Sequence, residues 1–137
     1  MIDQAAHSIR LIATDLVKLF GKNDRWQATD MNVQEVSVIC SGLALVRVEN
    51  QKFIADVGDI IRHTIKDASG VDLILLTKGA FYMRKFKYTK DVYSQVHAQA
   101  ISKFNLRELD PDHIQALSAL YESHRIITDS PFIQTRV

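Results

Sequence analysis

Glu35-Val36-Ser37-Val38-Ile39-Cys40-Ser41-Gly42-Leu43-Ala44-Leu45-Val46-Arg47-Val48-Glu49-Asn50-Gln51-Lys52-Phe53-Ile54-Ala55-Asp56-Val57-Gly58-Asp59-Ile60-Ile61 opens the stretch, 35 to 88, whose reading decides the fold. Val36, Val38 and Cys40 alternate with Ser37 and Ile39; Ala44, Val46 and Val48 alternate with Leu43, Leu45 and Arg47. A period of two sends successive side chains to opposite faces, the pattern of a strand. Glu49-Asn50-Gln51 supplies a turn, since asparagine tolerates positive φ. Phe53, Ala55 and Val57 oppose Ile54 and Asp56, and Gly58-Asp59 gives a second turn signal. Ile61, His63 and Ile65 then alternate with Ile60, Arg62 and Thr64, and Asp67-Ala68-Ser69-Gly70 turns the chain again. Val71 to Leu76 is apolar on both faces apart from Asp72 and reads as the most buried strand. After Gly79, Phe81 to Tyr88 reads as a strand carrying aromatics and cations. No linker, repeat or low-complexity tract interrupts the run, which predicts an antiparallel sheet of five to six strands.

Outward from that stretch the spacing becomes helical. Ile9, Ile12, Ala13, Leu16, Leu19 and Phe20 recur at three- and four-residue intervals, predicting a helix over 2–20 closed by Gly21, with Trp26 packing on the sheet. Val92, Val96 and Ala100, joined by Tyr93, Ile101 and Phe104, predict a helix over 91–104. Asp110 as N-cap, Pro111 at the first helical position and Asp112 in the first turn start another over 111–124. Leu109 and Ile114 have the spacing of a hydrophobic staple, and Arg125 complements the dipole at the far end. The tail from Ile126, with Pro131, reads as a short extended arm. The fold class expected is α+β: one domain over 1–137, a sheet covered by one N-terminal and two C-terminal helices.

The bulk numbers bound what such a chain does. At 137 residues it is one domain's worth, and 47% hydrophobic residues support a real core. A formal charge of +1 excludes a whole-molecule field strong enough to capture nucleic acid, though not a local basic patch. The single cysteine, Cys40, excludes an intramolecular disulfide framework and fits a reducing compartment. With neither a secretory h-region nor an apolar run of spanning length, the expectation is a cytoplasmic protein without membrane contact.

No catalytic signature stands in the sequence. The five glycines are scattered and build no phosphate loop. No H-E-x-x-H or C-x-x-C spacing offers a metal site, and His113 and His124 are too far apart on one helix to share an ion. Asp56 and Asp59 flank Gly58 as a tight turn would require. The expectation is therefore no catalytic residue, no metal and no cofactor, and the balance is against an enzyme.

One stretch is chemically distinctive: Lys78-Gly79-Ala80-Phe81-Tyr82-Met83-Arg84-Lys85-Phe86-Lys87-Tyr88-Thr89-Lys90. Cations interleaved with aromatics neutralise phosphates while offering ring faces to unpaired bases. Lys78, Tyr82, Arg84, Lys85, Lys87, Tyr88 and Lys90 are the candidate contacts to nucleic acid or to a partner protein. The competing reading is an edge strand whose lysines discourage edge-to-edge pairing.

Ser41 to Val48, the turn, and Phe53 to Ile61 resemble the strand–turn–strand–Gly-Asp passage of small-ligand β-rolls such as cupins, AraC-type sensor halves and cyclic-nucleotide-binding domains. The resemblance covers about twenty residues. It implies a pocket lined by His63, Asp59 and Tyr82. The histidine cluster of cupins and the glycine-rich phosphate cassette of nucleotide sensors are missing, so such a pocket would take an apolar ligand or none.

Three functional expectations follow. The first is a non-enzymatic interaction, adaptor or regulatory protein that works through protein contacts and self-associates as a homo-oligomer. The alternative is a nucleic-acid-linked regulator using segment 78–90. The third is the ligand-sensing β-roll.

Overall fold

In the computed structural model, which describes residues 31–134, the stretch read as a sheet is a set of helices. Among the described residues six α-helices follow one another: α1 Val33–Gly42, α2 Gln51–Thr64, α3 Gly70–Met83, α4 Val92–Asn105, α5 Pro111–His124 and α6 Pro131–Gln134. A short 3-10 turn, Ile65–Asp67, extends α2. No strand occurs among the described residues, so the α+β class, its five- to six-stranded sheet and the β-roll passage are all corrected to helix.

The physical reason lies in where the two periods coincide. Positions i and i+4 share a face in both a strand and a helix, so Val36 and Cys40 do not discriminate; i+2 and i+3 do. Val38 is 47% exposed whereas Ile39 is 5% exposed, and the buried set Val36, Ile39, Cys40 and Leu43 is helical. Phe53, Ile54, Val57, Ile60 and Ile61 bury one side of α2 in the same manner, and Leu73, Leu76, Ala80 and Met83 one side of α3. Many of these side chains are β-branched, and a preference for strand yields to burial on a helix face.

The caps confirm the period. The Asn32 side chain accepts from the Glu35 N–H at 2.9 Å while the Glu35 carboxylate accepts from the Asn32 N–H at 3.2 Å. Ser69 and Asp72 repeat that capping box at α3, and Asn50 Oδ1 accepts from the Phe53 N–H at the start of α2. Each satisfies a backbone donor that the first helical turn leaves unpaired. Gly58, read as a turn, lies within α2, and Gly79 within α3.

The C-terminal helices predicted over 91–104 and 111–124 are Val92–Asn105 and Pro111–His124. Pro111 opens α5, but the Asp110 side chain makes no capping bond; it faces the His113 Nδ1 at 3.8 Å. The tail read as an extended arm is the short helix α6, which buries Phe132 completely. The helix expected over 2–20 and Trp26 lie outside the described residues.

The connectivity is that of stacked helical hairpins. α1 packs on α3, and α3 on α5; each odd-numbered helix also packs on the even-numbered helix that follows it, and α2 touches α4. The odd helices run parallel. Ser37 Oγ of α1 meets the Asp72 carboxylate near the start of α3, and Cys40 Sγ reaches the Leu76 carbonyl one turn later. Between α3 and α5, Gly70 lies against the His113 ring at the start and Thr77 Oγ1 meets the Tyr121 hydroxyl at 3.2 Å further on. α1, α3 and α5 begin at residues 33, 70 and 111, and α2, α4 and α6 at 51, 92 and 131. That interval of about 40 residues is one for helical repeats.

The repeat has a register. Val36, Leu73 and Ile114 occupy equivalent inward positions, as do Ile39, Leu76 and Leu117, and Leu43, Ala80 and Tyr121. Between them the small residues Cys40, Thr77 and Ser118 sit at the helix–helix seams, all buried. Full burial of each Leu or Ile is worth about 1.5–3 kcal/mol relative to exposure. The loops that close the hairpins, 43–50, 84–91 and 125–130, therefore line up along one edge of the stack, where the C-termini of α1, α3 and α5 end.

Candidate functional site

The distinctive basic–aromatic segment falls on that edge. α3 carries Lys78, Phe81 and Tyr82 in its last turns, and the loop 84–91 carries the remaining cations. Facing them is the loop that leaves α1, where Arg47 adopts a left-handed backbone with φ of 50° and turns the chain toward Val48. Between the two lies an open groove of about 640 Å³ lined by Ala44, Arg47, Glu49, Phe81, Tyr82, Arg84 and Lys85.

Two cations in the groove rest on aromatic faces. The Arg84 guanidinium carbon stands 5.6 Å from the centre of the Phe81 ring, and Lys85 Nζ 4.9 Å from that of Tyr82. Such contacts orient a cation without neutralising it, leaving its donors available to an anion. Tyr82 is buried, and its hydroxyl donates to the Val48 carbonyl at 2.7 Å, which ties the end of α3 to the loop across the groove. Burial pushes the Tyr82 phenol up, with Glu49 adding to the rise and Arg47 opposing it. Glu49 is the carboxylate among the lining residues, set against Arg47, Arg84 and Lys85.

Behind the groove the aromatic packing continues into the next hairpin. The Phe81 ring stacks on the His124 imidazole at 4.0 Å with 9° between planes, and the Tyr93 hydroxyl lies 2.8 Å from His124 Nδ1. Burial lowers the His124 pKa, and the neighbouring Arg84 cation lowers it further. The neutral imidazole is thus the favoured form, and Phe81 contacts both a ring and a guanidinium.

The candidate contacts distribute unevenly over this geometry. Arg84, Lys85 and Tyr82 line the groove, Tyr82 through its ring while its hydroxyl is committed to the backbone. Lys78 is exposed on α3, and Lys87, Tyr88 and Lys90 are exposed on the loop outside the lining. The strand expected over Phe81 to Tyr88 is corrected, since the segment is helix and then loop. His63 and Asp59 do not join Tyr82 in a pocket: His63 Nδ1 lies 2.8 Å from the Asp59 carbonyl on the exposed side of α2. Arg47, Glu49 and Phe81 line the groove without having been singled out from sequence. Among the described residues no three His, Cys, Asp or Glu side chains gather to hold a metal ion, and no helix is long and apolar enough to cross a membrane.

No protein-family model, no curated protein and no solved structure matches this chain.

Proposed function

We propose that this chain is a non-enzymatic binding scaffold, a stack of helical hairpins that engages an anionic macromolecular partner along the edge where the hairpin loops gather. The observation that carries this reading is the open groove between neighbouring hairpins, in which Arg47, Arg84 and Lys85 outnumber the single lining carboxylate, Glu49. Stacked repeats characteristically present extended binding surfaces to large partners, because each unit adds a copy of the same surface. The chemistry in the groove is recognition chemistry: fixed cations and ring faces, with the one phenol's hydroxyl already donating to a carbonyl. A cytoplasmic setting belongs to this reading, since Cys40 is a buried, unpaired thiol.

Retention on immobilised heparin, a polyanion without bases, tests it. The full chain is expected to bind at low salt and to elute as ionic strength rises, and Arg47→Gln with Arg84→Gln is expected to advance its elution. Passage through the column unretained at low salt refutes the reading.

Self-association is the second reading, favoured by the outward face of α3. Val71 and Leu75 stand there four residues apart, with Val38 and Leu45 exposed on and just after the adjacent α1. Apolar side chains in such a row are shielded well by a second copy of the same face. Light scattering on the eluting peak across a concentration series reads the mass, and a constant monomer mass removes this reading while leaving the scaffold intact.

A further inference from the structure

The repeat register places an arginine at one equivalent position in each of the three hairpins among the described residues. Counting four residues beyond the inward-facing Leu43, Ala80 and Tyr121 gives Arg47, Arg84 and Arg125. All three are exposed; Arg84 and Arg125 are the first residues past the C-termini of α3 and α5, and Arg47 lies in the run of turns that follows α1. Among the described residues none of them is in an ion pair with a carboxylate; the ion pairs there belong to Arg62, Lys103 and His113. Backbone geometry does not force the coincidence, because Arg47 and Arg125 are left-handed, at φ of 50° and 54°, whereas Arg84 is right-handed at −62°.

We propose that Arg47, Arg84 and Arg125 form a ladder, one rung per hairpin, that takes phosphates spaced along a single-stranded nucleic acid. The ladder rests on the scaffold reading and names its partner. Adjacent packed helices lie about 8–10 Å apart, so the rungs repeat along the stack. A partner that satisfies a periodic row of cations needs periodic anions, and a nucleic acid supplies one per nucleotide whatever its sequence. An acidic polypeptide would need carboxylates spaced to suit. A guanidinium also presents a planar fork matched to phosphate oxygens. A single strand is favoured over a duplex because a ring face accompanies the middle rung: the exposed Phe81 ring lies 5.6 Å from the Arg84 guanidinium carbon. Tyr88, on the loop that follows Arg84, is 65% exposed, and an unpaired base stacks on such a ring where a paired base cannot.

Fluorescence anisotropy with the full chain decides the matter. The probes are labelled single-stranded RNA and DNA of about 12 nucleotides, a duplex of the same sequence, and polyglutamate, each titrated across a salt series. The single strands are expected to bind more tightly than the duplex or polyglutamate. Arg47→Gln, Arg84→Gln and Arg125→Gln are each expected to flatten the log–log salt dependence by about 0.7, and the triple variant by about 2. Arg→Lys at the three positions retains most of the slope, and unchanged thermal unfolding shows that the variants are folded. A triple variant with wild-type affinity and slope overturns the ladder. So does tighter binding of polyglutamate, which would make the partner an acidic protein, or tighter binding of the duplex. Heparin retention that depends on Arg47 and Arg84, with no binding to any oligonucleotide, overturns the ladder and leaves the scaffold standing. Failure to bind heparin or oligonucleotide overturns both.

Discussion

The backbone of Gly79 in α3 lies directly against the Cys40 carbonyl of α1, so close that a Cβ at residue 79 would run into both that carbonyl and Cys40 Sγ. The obstruction is largely backbone, which cannot swing aside as the end of a flexible side chain can. Gly79 is therefore what lets the first two hairpins close on each other.

Gly79→Ala tests this seam. Alanine is the better helix former by about 1 kcal/mol, so a helix considered alone would gain stability. The inter-helix clash is larger, and overpacking of this kind costs about 1–3 kcal/mol or more. Net destabilisation is expected, read as a lower urea midpoint. An unchanged or raised midpoint would show that α1 and α3 do not approach this closely.

A second prediction concerns Arg62, which joins α2 to the loop ahead of α4. Its guanidinium donates to the Asp59 and Asp91 carboxylates at 2.9 and 2.8 Å and to the Tyr88 carbonyl at 2.8 Å. The carboxylates are more than half exposed, so solvent screens much of the Coulomb energy and Arg62→Ala is expected to cost about 1 kcal/mol. The cost should shrink in high salt, measured by chemical denaturation at two ionic strengths. A salt-independent loss would mean that packing, not charge, accounts for the role of Arg62.

Two of the places where the chain turns are legible in the sequence. Glu49-Asn50-Gln51 and Asp67-Ala68-Ser69-Gly70 do separate elements, because Asn50 and Ser69 are suited both to turning a chain and to capping the next helix. What lies between the turns is misread because Val36 and Cys40 satisfy both periods, and Ile39 rather than Val38 decides. The site divides in the same way. Arg84, Lys85 and Tyr82 stand out by composition, whereas Arg47 and Glu49 face them only because hairpin stacking brings residues nearly forty positions apart into one groove. The arginine register is written in the sequence, but it emerges only once the helical period is adopted.

Stability should depend on pH through His97 and His124. The His97 Nε2 lies 2.8 Å from Ser130 Oγ, and burial lowers its pKa, a nearby Asp129 partly offsetting the shift. His124 is lowered by burial and by Arg84. For both, the unfolded chain takes up a proton near pH 6.5 while the folded chain resists protonation to lower pH. Their contribution is therefore fully present above about pH 6.5 and is lost as pH falls from there through the folded values. Thermal midpoints should drop on acidification across that window. The drop should lessen in His97→Asn once each variant is compared with its own value at pH 8; an identical drop would show that His97 titrates as an exposed histidine.

Cys40 provides an independent probe of the α1–α3 seam. Its thiol is fully buried, and burial pushes its pKa up to about 12, with Sγ facing the Leu76 carbonyl and the Met83 sulfur, each at 3.8 Å. The thiolate is the reactive form, so at pH 8 the folded chain presents almost none to a reagent and none of it is accessible. Labelling by a disulfide reagent must therefore wait for the seam to open, and its rate reports the population of the open state. Gly79→Ala should accelerate labelling by the factor that corresponds to its loss of stability in urea, about tenfold for each 1.4 kcal/mol. A larger acceleration would mean that the seam opens locally while the other hairpins stay folded. Rapid, denaturant-independent labelling of the unmutated chain would contradict the burial of Cys40 and, with it, the packing of α1 on α3.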